Sequence, residues 1–250
     1  MIAYHRRKIN YYSFKIILNL HFIFDILFID INKLIRRLGM AILRVQTSTA
    51  REGKTEEFNS MIKEGAELMN SKGINTVVRV SHSGTETIEV YSINFFENWT
   101  KYGEAMNTIM TDADMQAYYY KAITGWSGVA IDNSELVEVP GFEKGAETQG
   151  EISISTAWQP ILEQGKTGQF LKSCKEAMEI HEKYGAKVRL LQSFGGRYAG
   201  QYLYQMGFES FEAMGKAQDA AAEEFAAFNV KQPISAQLVN QVVLRSSTVI

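Results

Sequence analysis

Gly53-Lys54-Thr55-Glu56-Glu57-Phe58 returns as Gly165-Lys166-Thr167-Gly168-Gln169-Phe170, and this recurrence decides how the chain is read. The two stretches lie 112 positions apart (165 minus 53). The same offset carries Lys63-Glu64 onto Lys175-Glu176, Glu67 onto Glu179, Gly73 onto Gly185 and Gly84 onto Gly196. It continues through Phe96-Glu97 onto Phe208-Glu209, Trp99 onto Phe211 and Gly103 onto Gly215. A register held across helix, turn and strand signals marks the duplication of a whole unit.

Each copy predicts the same order of elements. Ala41 to Thr49 and Ile152 to Trp158 mix β-branched and polar residues at strand-like spacing. Phe58, Met61, Ile62, Ala66 and Met69 fall three or four apart, as do Phe170, Leu171, Cys174, Met178 and His181, so a helix with one apolar stripe follows in each copy. Gly73 and Gly185 stand where a helix C-cap needs positive φ. Residues 74–81 and 85–94 predict a hairpin about His82-Ser83-Gly84, answered by Phe194-Gly195-Gly196 in the second copy. Second helices are expected from Glu97 and Glu209, where acidic residues meet the positive end of the helix dipole. Last strands are expected at Leu136–Val139 and Gln237–Leu244. The first copy holds roughly ten extra residues before its last strand, Tyr118-Tyr119-Tyr120 and Trp126 among them, which marks a local elaboration.

The order β-α-β-β-α-β is that of the ferredoxin-like unit, an antiparallel sheet with both helices on one face. Two such units can cover their bare faces with each other. The expected fold class is therefore α+β: two tandem ferredoxin-like βαββαβ repeats packed sheet to sheet as an intrachain pseudo-dimeric α/β barrel. Residues 40 to 140 would form the first repeat, 141 to 150 a linker and 151 to 250 the second repeat.

With its Gly-Lys-Thr entry to the first helix and aromatic-Glu entry to the second, the stretch from 40 to 250 resembles the dimeric α/β-barrel superfamily. That group includes antibiotic-biosynthesis-monooxygenase-like and NIPSNAP-like domains, and the resemblance singles out no one family. It implies a small-molecule pocket between the sheets and the second helices, a small apolar or aromatic ligand, and a cofactor-independent monooxygenase-like reaction. The alternative is a non-catalytic binding or assembly module. Haem-degrading relatives would use a histidine on the second helix of a unit; neither second helix here carries one, so no cofactor is expected.

Composition narrows the partners. A net charge of -2 and a pI near 6.1 leave no electrostatic footprint for nucleic acid. The single cysteine, Cys174, forms no intrachain disulfide and lacks neighbours at metal-ligand spacing, so no metal site and a reducing, cytoplasmic setting are expected. Residues 1–39 differ from the rest, being rich in Ile, Phe, Tyr, Asn and Lys. They read as dispensable sequence upstream of Met40, as a membrane or export segment, or as a real helix. His21 and Asp25 interrupt the apolar run from Ile16 to Phe28, which weighs against the membrane reading. One chain supplies both halves of a barrel, yet a homo-oligomer is also compatible with free strand edges.

The candidate site follows from strand alternation. Val78, Val80, Ile88 and Val90 share one face of the first hairpin, which turns Arg79, Glu89 and Tyr91 to the other. Arg44 and Gln46 alternate with Leu43 and Val45, and Arg189 and Gln201 occupy the comparable face of the second copy. Charged groups on a covered sheet face are costly unless paired, so these seven are the ligand-binding candidates, with simple ion pairing as the competing reading. His181 and Cys174 fall on an apolar stripe and read as packing residues. Tyr118 to Tyr120 and Trp126 could line a pocket or a core.

Overall fold

The computed structural model describes residues 41–143 and 150–247. The three readings of residues 1–39 lie outside the described residues, as does most of the expected linker. The first repeat runs β1 (Ile42–Ala50), α1 (Thr55–Ser71), β2 (Thr76–Ser83), β3 (Val90–Phe96), α2 (Trp99–Thr111), α3 (Ala113–Gly125) and β4 (Gly128–Glu138). The second runs β5 (Ile152–Pro160), α4 (Lys166–Lys183), β6 (Lys187–Ser193), β7 (Tyr202–Phe208), α5 (Phe211–Lys231) and β8 (Ala236–Ser246). Among the described residues, no helix is long and apolar enough to cross a membrane.

All strand pairings are antiparallel, and the order β1-β3-β2-β8-β5-β7-β6-β4 closes when β4 returns to β1. The two sheets face each other across the interior and join at both edges, β2 on β8 and β4 on β6. Closure satisfies the edges that an isolated four-stranded sheet would leave open. The fold is thus a pseudo-dimeric α/β barrel made by a single chain.

Local chemistry explains the elements. Asn98 and Ser210 cap α2 and α5, accepting from the backbone N–H of Lys101 and Ala213, so these helices begin just after the acidic residues that marked them. The stripe of α1 buries Phe58, Met61, Ile62 and Met69, each burial worth about 1.5–3 kcal/mol. Gly73 and Gly185 follow α1 and α4 with φ of 78° and 94°, as a C-cap glycine should.

Four details depart from the sequence reading, the first being that the last strand of the first repeat begins at Gly128 and not at Leu136. The extra residues of the first copy form a further helix, α3, which Asp112 starts by accepting from the N–H groups of Asp114 and Met115. The first hairpin has a longer connection than three residues: β2 ends at Ser83 and β3 begins at Val90, with Glu89 accepting from Ser81 N and donating its own N–H to Ser81 Oγ instead of to the backbone. The repeat offset also drifts: Ile42 faces Phe96 and Ile152 faces Phe208, so the first strands are related by 110 positions and the third by 112.

Apolar side chains divide into two kinds of core. Leu43, Ile93, Phe95, Leu136, Leu191, Leu203, Val242 and Leu244 fill the barrel interior. Outside it, each sheet packs on its own helices, through Ile42, Phe96, Ile109 and Met115 in the first repeat and through Phe170, Met178, Tyr204 and Met206 in the second.

Candidate functional site

The seven sequence candidates do not converge on one face. Thr47 pairs with Tyr91 across the ladder, whereas Arg44 pairs with Asn94, so Arg44 and Gln46 turn outward toward the helices and Tyr91 turns into the barrel. Arg44 Nε donates to Asn133 Oδ1 at 3.3 Å. Arg79 is committed to backbone, donating to the carbonyls of Gly150 at 2.5 Å and Glu151 at 3.2 Å. Arg189 pairs with Glu138 at 2.9 Å, with both side chains at most 1% exposed, and Glu138 also accepts from Ala41 N. Tyr91 donates to Glu89 at 2.5 Å, and Arg197 stands 3.7 Å from the same carboxylate. Gln201 lies at the entry to β7, where Ser193 N donates to its backbone carbonyl. The inward candidates do not enclose a shared cavity: Arg79, Glu89, Tyr91 and Arg189 are held by backbone carbonyls or by hydrogen-bond and ion-pair partners, the side-chain oxygen of Gln201 is buried without a hydrogen-bond partner, and of these residues only Tyr91 lines the free space of about 40 Å³ inside the barrel.

Larger space lies on the other side of the sheets. In the second repeat a cavity of about 470 Å³ opens between the outer faces of β5, β7 and β8 and the helices α4 and α5. Trp158, Phe170, Tyr204, Phe225 and Phe228 form aromatic walls, and Ser173, Gln218, Asn229 and Gln232 supply neutral polar groups. No Asp, Glu, Lys or Arg is among the residues lining it. A corresponding cavity of about 720 Å³ lies in the first repeat, under α1 and α3.

Three titratable groups line the second-repeat cavity, and burial holds all of them neutral near pH 7. The Cys174 thiol is pushed up to about 12, which makes it an inert wall rather than a nucleophile. Tyr204 is raised by burial, and His181 is lowered below its ordinary value near 6.5 by the same cause. His181 Nδ1 and Tyr204 Oη lie 2.8 Å apart, and Phe225 covers the imidazole at 4.6 Å between ring centroids. With the proton on Nδ1, that nitrogen donates to Tyr204 and the Nε2 lone pair is left to act as a base. The second helices carry no histidine, as the sequence analysis held, but His181 reaches a cavity from the first helix of its repeat.

Sequence reasoning passed over His181 and Tyr204 because each sits among apolar residues. A signal existed at the repeat offset. His181 answers Met69 and Tyr204 answers Ser92, so two facing positions changed together into a hydrogen-bonded pair.

No family model matches the chain, and no curated protein does. Among solved structures, it is similar to a candidate monooxygenase from Fusobacterium nucleatum, at 9% identity and TM-score 0.55, covering 84% of this chain and 95% of that one. It is also similar to a candidate chlorite dismutase, at 14% identity and TM-score 0.51 over 84% and 96% of the two chains. A mutant chlorite dismutase from Candidatus Nitrospira defluvii aligns at 11% identity and TM-score 0.50 over 84% and 92%. These likenesses establish the dimeric α/β-barrel fold.

Proposed function

We propose that the chain binds a neutral, aromatic small molecule in the second-repeat cavity. The observation that carries this reading is the lining: about 470 Å³ walled by aromatic rings, with neutral hydrogen-bonding groups and no ionised side chain. Pockets of this size and composition bury most of a small ligand, and a few polar groups fix its orientation. A charged ligand would lose its hydration there without gaining a counter-charge. Calorimetric titration with 2-naphthol and with 2-naphthalenesulfonate tests the point. The neutral probe should bind and the anion should not, and Ala177→Phe, which fills the cavity from α4, should abolish binding. Equal binding of the two probes would contradict the reading.

The His181–Tyr204 pair favours a second, catalytic reading on the same site. An uncharged imidazole beside a phenol can take a proton from an acidic hydroxyl or C–H of the bound aromatic and leave an electron-rich anion that reacts with dioxygen. The fold's likeness to a candidate monooxygenase agrees with a reaction that consumes oxygen. Oxygen consumption with an anthrone-type substrate should be lost in His181→Phe while binding persists. Unchanged consumption in that variant would overturn the role of His181 as the base.

A further inference from the structure

The first-repeat cavity differs chemically from its counterpart, and one residue in it points to a ligand. Asn94 lines this space from β3, is 1% exposed, and its Oδ1 has no hydrogen-bond partner. The amide orientation is fixed by its neighbours. Thr76 gives its hydroxyl proton to the carbonyl of Ile74 at 2.8 Å, so its oxygen can only accept from Asn94 Nδ2, also at 2.8 Å. The amide oxygen is therefore the branch left without a donor. Leaving such an acceptor buried and unmade is costly, and native structures rarely do so without a reason.

The surroundings define what would supply the donor. Gln46 and Ser92 line the cavity with Asn94 on the sheet side, Tyr118, Tyr119 and Trp126 line it on the α3 side, and Arg51 and Asp132 are the charged residues of its lining. Tyr118 is held in place by donating to the carbonyl of Met61 at 3.1 Å. Its ring can lie on α1 only because residue 65 is glycine: a Cβ there would stand 2.3 Å from Tyr118 Oη. The aromatic wall is thus built by α3, the element that the second repeat lacks.

We propose that the first-repeat cavity is a second binding site, selective for a planar aromatic molecule that carries one N–H or O–H donor for Asn94 Oδ1. This goes beyond the reading of the second-repeat cavity and stands independently of it. The test compares indole with 1-methylindole, which has the same ring but no donor, by calorimetric titration in the full chain carrying Ala177→Phe to close the other cavity. Indole should bind about tenfold tighter or more, the range expected when a donor meets a buried unmatched acceptor. Asn94→Leu should bring the two affinities together. Ala122→Trp, which fills the cavity from α3 and leaves residue 94 unchanged, should abolish binding of both and serves if Asn94→Leu does not fold. Equal affinities in the chain with Asn94 intact would mean that solvent serves the amide, and would overturn the proposal. Retention of tight indole binding in Ala122→Trp would overturn it as well.

Discussion

The buried pair of Arg189 and Glu138 yields a prediction whose size can be worked from the structure. Both side chains are at most 1% exposed, the charged atoms lie 2.9 Å apart, and the guanidinium stands 5.9 Å from the Phe95 ring centroid. Replacing Arg189 with Met removes the counter-charge but leaves the carboxylate in the barrel interior. A lone charge in such a place costs about 3–5 kcal/mol. For a chain of this size that corresponds to roughly 6–20 °C in Tm. Replacing both, as Arg189→Met with Glu138→Gln, removes both charges and keeps an oxygen for Ala41 N. At the corresponding place in the first repeat stands Val77, so this position of the fold accepts an apolar side chain. The double variant should therefore regain at least about 2 kcal/mol over the single one. Urea unfolding at pH 7, followed by circular dichroism, measures both. A double variant no more stable than Arg189→Met would refute the reasoning, because the loss would then come from packing and not from an unpaired charge.

Other consequences concern single groups. His181 has a depressed folded pKa, so the unfolded chain takes up its proton first as the pH falls. Stability contributed by this residue is complete above about 6.5 and declines below that value until the folded imidazole also titrates; His181→Gln should flatten that part of the curve in chemical unfolding. Cys174, with its thiol near 12 and its side chain buried, should react with Ellman's reagent at pH 8 only as fast as the chain opens, and rapid reaction in the native state would contradict its placement. Gly65→Ala should displace Tyr118 and cost about 1–3 kcal/mol despite the better helix propensity of alanine, and Tyr118→Ala in the same chain should recover most of it.

Much of the architecture was legible because duplication writes itself into the sequence. The glycines at 73 and 185, the two apolar stripes and the alternating strands lie at nearly one offset, and local rules read each of them correctly. The side-chain faces were harder. Alternation says which residues of one strand share a face, but the relation between strands depends on ladder register. Thr47, not Arg44, lies opposite Tyr91, and this put Arg44 and Gln46 on the helix side while Arg79, Glu89 and Arg189 went inside. Those inward charges looked like a site because burial and charge coincide there, yet each is held by a partner or by backbone carbonyls. Of the cavities only part of one wall was legible, in Tyr118, Tyr119 and Trp126 of the first repeat, since the space itself depends on how far two helices stand from a sheet. The second-repeat lining gathers Trp158, His181, Tyr204 and Phe225 from four elements that no spacing rule connects.

The most direct measurement of the central claim is a crystal structure of the chain soaked with 2-naphthol. The account predicts the ring system between α4, α5 and the outer sheet face of the second repeat, flanked by Trp158 and Phe225, with its hydroxyl within hydrogen-bonding distance of His181 or Tyr204. Naphthol bound elsewhere, with that cavity filled by the protein's own side chains, would contradict it.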